Sequence, residues 1–458
     1  MARKFKKPNY EVMLKQTISL EEVLPANHLA RFVVDVIAQL DLSTIYAQYA
    51  PTGGQPIAPE ILLGLLFYGY ANGVFSSRKI EKATYESIPF RYIASGMHPD
   101  HDTIANFRKT FLAEIQELFV QILLLAQVAE VLNLGNISLD GSKIHADASK
   151  SKAVSYKRLT ELEAQLHQEV KELFELGERT DQGDLSLPEG LIIEDEIALR
   201  SQRLANLAEA KAVLEARAEE RYKAEKAEHE AKQREQEEKS RKTGHKPCGR
   251  KPKPPEPGPR DKDQYNFTDP DSRIMKNSNN SGFDQHYNVQ VAVDQESLLI
   301  VAPSLSNHPN DKKEAEPTLD ALSPKVGKPK AAALDNGYFS EANIAALEKR
   351  CIDPYIATGR EPHHKIWRTY FKQLPDQPPE EASPKVKMAY KLQTEIGKAI
   401  YRLRKCTVEP VIGIIKEVLG FRQFSLRSLL AASGEWCLVC LAFNLKRMHT
   451  LYQAKGLL

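Results

Sequence analysis

The sequence predicts an α/β core, a mixed sheet with flanking helices, preceded by an all-helical region and interrupted by a helical hairpin. Three observations predict it. Strand-like and helix-like runs alternate between residues 287 and 357, the pattern of a sheet covered by helices. Residues from about 20 to 130 carry apolar side chains at helical spacing. A first strand-like run at 136–147 is cut off from the others by a long charged segment, so the hairpin interrupts the core and does not separate two domains.

Length and charge agree with this division. At 458 residues, two or three domains are expected. Hydrophobic residues make up 42% and charged residues 27%, the balance of a globular protein. The net charge of +2 conceals 63 basic and 61 acidic side chains, so partners must be argued from where charge lies. The basic stretch Met1–Pro8 leads into no apolar run, and no secretory signal is expected. The apolar stretch Leu118–Leu132 is broken by Gln121, Gln127 and Glu130, too short and too polar for a membrane span. Five scattered cysteines argue against a disulfide framework and fit a reducing cytoplasm.

Among the elements, Pro59 suits the first turn of a helix in which Leu62, Leu63, Leu66 and Tyr70 share helical spacing. A second helix runs from Ser77 through Ile80 to Tyr85. A third takes Asp102 as its N-cap and continues to Lys109, with Ile104 and Phe107 inward and Asn106, Arg108 and Lys109 outward. Short helices with tight turns, the last one basic, fit a helix-turn-helix and a plain bundle equally.

Asn136–Asp147 reads as a strand interrupted by Gly141. Leu159, Leu162, Leu166, Val170 and Leu173 then form a helical stripe, a turn follows between Gly177 and Gly190, and a charged helix covers roughly 194–239. Its apolar Ile197, Leu204, Leu207 and Leu214 come early, so the far end of the hairpin is expected in solvent. Lys246–Arg260 carries six prolines and reads as an extended, semi-rigid linker. Its five Lys/Arg against one Glu fit a phosphate-tracking segment or a merely solvated one. Tyr287–Asp294 alternates as a strand and pairs as a hairpin with Leu298–Val301. Helices at 312–322 and 341–350 flank the apolar run Lys330–Leu334, and Pro354–Ala357 closes the alternation.

Three acids stand out by context. Asp140 lies in an apolar strand before Gly141, and Asp335 ends another before a turn containing Gly337. Ligands of α/β sheets gather at strand ends. Glu409 belongs to a helix whose buried face is marked by Val408, Ile412, Ile415 and Leu419, with Gly413 and Lys416 on a neighbouring face. Gly413 costs about 1 kcal/mol relative to Ala in a helix interior, a cost that close approach of DNA or another backbone explains. Two Asp and one Glu are the oxygen donors that a pair of Mg²⁺ or Mn²⁺ ions takes in phosphodiester chemistry. With 61 acids in the chain, spacing alone does not select this trio.

The words around the acids do. Leu139-Asp140-Gly141-Ser142-Lys143-Ile144, Ala333-Leu334-Asp335-Asn336-Gly337-Tyr338-Phe339 and Val408-Glu409-Pro410-Val411-Ile412-Gly413-Ile414-Ile415-Lys416 resemble, in order, the three acidic motifs of bacterial insertion-sequence DDE transposases. Asn266–Met275, Gly282–Gln290 and Gly420–Arg427 add to the likeness, and His98–Arg108 resembles part of the helical domain that precedes the catalytic core. The resemblance implies an RNase H-like core that uses two divalent metal ions, Mg²⁺ or Mn²⁺, held by Asp140, Asp335 and Glu409. It implies cleavage and strand transfer on double-stranded DNA, at transposon ends and target, by a homodimer in the cytoplasm at the nucleoid, with no membrane partner. Relatives carry a Tyr-Arg-Glu-Lys signature around the glutamate. Here Lys416 takes the Lys place, but Arg402 stands where Tyr is expected and Lys405 where Arg is expected. Arg108, Lys109, Arg402, Lys405, Lys416, Arg422 and Arg427 are the candidate DNA contacts.

These readings divide the chain into a helical DNA-binding region (1–130), the first part of the core (131–150), the hairpin (151–245), a Pro/Lys-rich linker (246–265) and the rest of the core with C-terminal helices (266–458). Other signals count for less. Cys437-Leu-Val-Cys440 lies in an apolar helical run and reads as core packing, since zinc wants four ligands. His363 and His364 read as surface residues, and Asp269, Asp271 and Asp294 as caps or strand ends. A metal-dependent nuclease without strand transfer, and a non-catalytic DNA-binding or scaffolding protein, remain alternatives.

Overall fold

The computed structural model describes residues 19–50, 54–182, 188, 190–243, 253–277, 282–359 and 377–458. Met1–Pro8, His363, His364 and the first part of the Pro/Lys-rich linker lie outside the described residues. The chain forms two compact units, residues 1–147 with 272–458, and residues 148–271.

The first unit opens with helices α1 (Leu20–Val23), α2 (Leu29–Ile37), α3 (Ser43–Tyr46), α4 (Pro59–Ala71), α5 (Ser77–Glu86), α6 (Ile88–Ile93), α7 (His101–Thr110) and α8 (Leu112–Val128). Pro59 begins α4, as its fixed φ favours. The N-cap of α7 is Asp100, not Asp102. Its carboxylate accepts the Thr103 N–H at 2.9 Å, the bond an N-cap makes to the third helical residue. Asp102 therefore falls in the first turn, where its charge suits the helix dipole.

Strand β1 (Asn136–His145) leads into the second unit. That unit contains β2 (Ala153–Ser155), α9 (Tyr156–Asp181), α10 (Ile193–Thr243) and β3 (Gln264–Asn266). Helices α9 and α10 form the expected hairpin, and β2 pairs with β3. Leu159 and Leu166 meet Leu207, Ala210 and Leu214 across the hairpin, joined by Val154 and Tyr265. The linker does not run free over its described part. Arg221 donates to the Gly258 carbonyl at 3.2 Å, and Arg260 pairs with Glu225 at 3.0 Å, which fastens residues 258–260 to α10.

The chain returns as β4 (Arg273–Lys276), β5 (Phe283–Asp294), β6 (Ile300–Ser306), α11 (Ala315–Asp320), β7 (Ala331–Leu334), α12 (Glu341–Lys349), β8 (Asp353–Ile356), α13 (Pro384–Lys391), α14 (Glu395–Gly413) and α15 (Leu429–Lys455). The sheet runs β5-β1-β7-β8, with β4 and β6 sharing the outer edge of β5. Strands β4, β5 and β6 are antiparallel to their partners, whereas β1, β7 and β8 are mutually parallel. The expected hairpin partner of β5 begins at Ile300, since Leu298 takes a φ of 61° in the turn. From Gln285 to Asp294 every residue of β5 is buried, so its polar positions face protein and not water. The expected helix at 312–322 is shorter, a 3₁₀ turn at Asp311–Lys313 followed by α11.

Helix α15 packs against α4, α8 and β6, which makes the N-terminal helices and the sheet one compact unit. Gly434 permits this approach, because a Cβ there would lie 2.8 Å from the Leu112 side chain. Asn444 satisfies both backbone groups of Ile300, donating at 2.7 Å and accepting at 2.8 Å. By length and composition α15 is apolar enough to cross a membrane, but most of its apolar stretch is buried within the protein. Cys437 and Cys440 are core residues, and burial pushes the Cys437 thiol up to about 12.

Candidate active site

Parallel strands β1 and β7 are in register with Leu139 opposite Leu334. Asp140 and Asp335 each lie one residue beyond that pair, so two acids nearly two hundred residues apart become neighbours, Asp140 in the middle of β1 and Asp335 just past the end of β7. Helix α14 packs on β1, β5 and β7 and brings Glu409. Its anchor is Thr407, whose hydroxyl meets that of Ser138 at 2.8 Å, two residues before Asp140. Gln295 fixes the same point, donating to the Ser138 hydroxyl at 2.9 Å and to the Ile400 carbonyl at 3.1 Å.

The three carboxylates converge on one guanidinium. Arg404 donates to Asp140 at 2.9 Å and to Glu409 at 3.0 Å, and lies 3.7 Å from Asp335. Its side chain is 6% exposed, while those of Asp335 and Glu409 are about half exposed. Burial raises the Asp140 carboxyl to about 6, with Asp335 and Glu409 pushing the same way against Arg404 and the Gly141 N–H. Burial works against the charge of Arg404, but Asp140, Tyr401, Asp335 and Glu409 outweigh it and hold the guanidinium charged.

A polar layer backs the acids. Gly141 faces Gln290 across the β1–β5 pair, and a Cβ at Gly141 would lie 2.2 Å from the Gln290 amide nitrogen. Gln290 and Asn288 both donate to the Asp311 carboxylate, at 2.9 and 2.8 Å. The Tyr338 hydroxyl donates to the Gln290 side-chain oxygen, and Asn343 donates to the Tyr338 carbonyl at 2.6 Å. The turn that follows Asp335 is thereby fastened to β5. Gln290, Asp311, Tyr338, Tyr401 and Arg404 were not singled out from the sequence.

The candidate DNA contacts separate into groups. Arg402 and Lys405 are exposed on α14, on the stretch that carries Glu409, and Lys109 is exposed on α7. Arg422 pairs with Glu417, and Arg427 with Asp147 at 2.8 Å, all with substantial exposure. Lys416 is half-buried and donates to the Ser142 hydroxyl at 3.0 Å, and burial lowers its pKa. Arg108 does not face outward. It is buried, donates to the Tyr70 hydroxyl at 2.6 Å and lies 3.7 Å from the fully buried Glu435 of α15. Arg404, between Arg402 and Lys405, is the arginine that lies among the acids, with the Tyr401 ring centroid 5.9 Å from its guanidinium carbon. Asp294 is a structural cap, accepting the Ser297 N–H at 2.8 Å and the Gly135 N–H at 3.2 Å. Gly413 has open space around it, so no backbone among the described residues explains it.

Residues 256–445 match the Transposase DDE domain family, and residues 18–110 match the Transposase domain family (DUF772). Together the matches cover more than half of the chain, and the first contains Asp335 and Glu409. The chain belongs to the insertion-sequence DDE transposases. No curated protein and no solved structure matches it. The mixed sheet of the transposase is therefore RNase H-like, and the chain is a DNA-acting enzyme of a family that uses divalent metal ions. The donor set suits such ions, being three carboxylates that already converge on positive charge. The charge they gather around here is the Arg404 guanidinium. Among the described residues no three acidic, imidazole or thiol groups stand close enough to one another to form a finished metal cluster.

Proposed function

We propose that this transposase cleaves DNA at the inverted-repeat ends of its element and joins the freed ends to a target, with Asp140, Asp335 and Glu409 as the metal ligands. The observation that carries the reading is the convergence of these three acids, from β1, the end of β7 and α14, on the single guanidinium of Arg404. Two divalent ions, Mg²⁺ or Mn²⁺, when bound, supply Lewis-acid activation of the attacking oxygen and neutralise charge on the leaving oxygen. Water attacks the phosphodiester at the element's end and leaves a 3′-hydroxyl and a 5′-phosphate. The 3′-hydroxyl then attacks a target phosphodiester and displaces the target's own 3′-oxygen.

The remaining residues grip DNA. Arg402 and Lys405 lie on the exposed side of α14 beside Glu409, where a phosphate backbone entering the site would pass. Arg422 and Arg427 sit in exposed ion pairs, which are worth little in water and exchange readily for phosphate. Lys109 and the helical region 1–130 read the element's end, and a homodimer at the nucleoid holds two ends together. The hairpin, residues 151–245, is an insertion into the catalytic core.

The test is cleavage of labelled DNA from the flanks of its own gene, with Mg²⁺, comparing wild type with Asp335→Asn. Nicks with 3′-hydroxyl ends made only by the wild type are expected, followed by joined products. Equal cleavage by both proteins would remove Asp335 from the site. Nicking without joining would leave a nuclease.

A further inference from the structure

The Arg404 guanidinium lies within hydrogen-bond or ion-pair distance of all three acids. Its side chain is 6% exposed and spends its two terminal nitrogens on Asp140, Glu409 and Asp335. Its Nε is buried without a hydrogen-bond partner among the described residues. The Tyr401 ring centroid lies 5.9 Å from the guanidinium carbon. The acids therefore hold the guanidinium, and the guanidinium holds the acids.

We infer that Arg404 is a placeholder cation: it keeps the three carboxylates together before metal binds, and it must withdraw for metal to enter. The inference rests on the reading of Asp140, Asp335 and Glu409 as metal ligands. Three carboxylates gathered without a cation would repel one another, and one guanidinium leaves the cluster with two net negative charges. That residual charge attracts divalent ions, while the charge-assisted bonds of Arg404 compete with them. Apparent metal affinity then equals the intrinsic affinity multiplied by the fraction of molecules in which the guanidinium has moved away. A site with a built-in competitor binds free metal weakly and stays assembled without it. Arg404 is in this sense a positioning residue, and its effect belongs in metal binding before any chemistry occurs.

The experiment is a Mn²⁺ titration of the full-length protein without DNA, followed by electron paramagnetic resonance. It compares wild type, Arg404→Gln, Arg404→Lys and Asp335→Asn. Arg404→Gln should bind Mn²⁺ about tenfold or more tightly than wild type, because the competitor is gone. Arg404→Lys, which keeps the charge but loses the fork, should fall between them. Added methylguanidinium should weaken Mn²⁺ binding by Arg404→Gln towards the wild-type value. Unchanged or weaker binding by Arg404→Gln, in a protein with wild-type circular dichroism, would overturn the placeholder role. If Arg404→Gln does not fold, Arg404→Lys decides, and affinity at or below wild type overturns it. Asp335→Asn separates the two readings. Loss of Mn²⁺ binding there, with no gain in the Arg404 variants, sinks the placeholder alone. Unaltered binding in Asp335→Asn sinks the ligand assignment and the placeholder with it.

Discussion

A buried guanidinium is stable only while its carboxylate remains, and Arg108 is held in this way. Burial works against its charge, and Tyr70 and Glu435 hold it charged. Glu435 also accepts the backbone N–H groups of Ser425 and Leu426, each at 2.9 Å, so the pair joins α7, α4 and the start of α15. Arg108→Ala should therefore cost about 3–5 kcal/mol, the usual result of leaving a buried charge unpaired. Exposed Lys109→Ala should stay within about 0.5 kcal/mol of wild type. Urea unfolding of both variants checks this, and equal midpoints would remove Arg108 from the core. The same residue shows what sequence spacing conceals. A charged side chain on a short helix reads as outward until its partner is known, and Glu435 lies on a helix at the other end of the chain. Arg404 escaped notice for a related reason. Counting back from Glu409 placed the expected signature on Arg402 and Lys405, while the helix turns Arg404 into the acids.

At the scale of the element, β5 departs most from its sequence pattern. Alternating Val289, Val291 and Val293 suggest one apolar face and one wet face, yet His286, Asn288 and Gln290 are buried as well. Asn288 and Gln290 find Asp311, and His286 donates from Nδ1 to the Asp284 carbonyl at 2.8 Å. Burial lowers the His286 pKa from 6.5 to about 4, and His145, its ring centroid 4.3 Å away, and Lys143 add to that, against the Asp284 contacts. A histidine kept neutral in the fold contributes stability that is full above about pH 6.5 and lost as pH falls towards 4. Between pH 7 and pH 5 the loss is at most about 2 kcal/mol. Asp140, raised to about 6, acts in the opposite direction over part of the same window. The comparison must therefore be with His286→Gln, which shares Asp140. Wild type should lose stability relative to the variant as pH falls, measured by urea unfolding at both pH values, and parallel curves would refute it. Strands β1 and β7 were legible because each acid follows an apolar run and precedes a distinctive word. The polar face of β5 was not, because its partners Asp311 and Tyr338 come from two different turns.

At the scale of the molecule, the chain folds as a catalytic unit closed around one sheet and a second unit that interrupts it. The interruption was legible because charge and apolar spacing change sharply after Asp147. The packing of the N-terminal helices into one compact unit with the sheet was not, since it depends on α15 meeting α4 and α8 from the far end of the sequence. The second unit has the parts needed to stand alone. It has its own apolar core, from Leu159 and Leu166 to Leu207, Ala210 and Leu214, with Val154 and Tyr265 at its base. Arg200–Glu169 and Lys211–Glu163 pair across the hairpin, and Arg221–Asp263 ties α10 to the strand that follows. A fragment of residues 148–271 should therefore be helical by circular dichroism and melt cooperatively. Leu207→Ala should weaken that fragment by about 2–5 kcal/mol, as removal of a buried leucine does. Hydrogen exchange should divide α10 in two, slow around Leu207 to Ala218, where the core lies, and fast beyond Tyr222, where side chains are mostly exposed. A fragment without cooperative melting would mean that the insertion depends on the catalytic unit for its fold, and that its own apolar core does not suffice to hold the hairpin together.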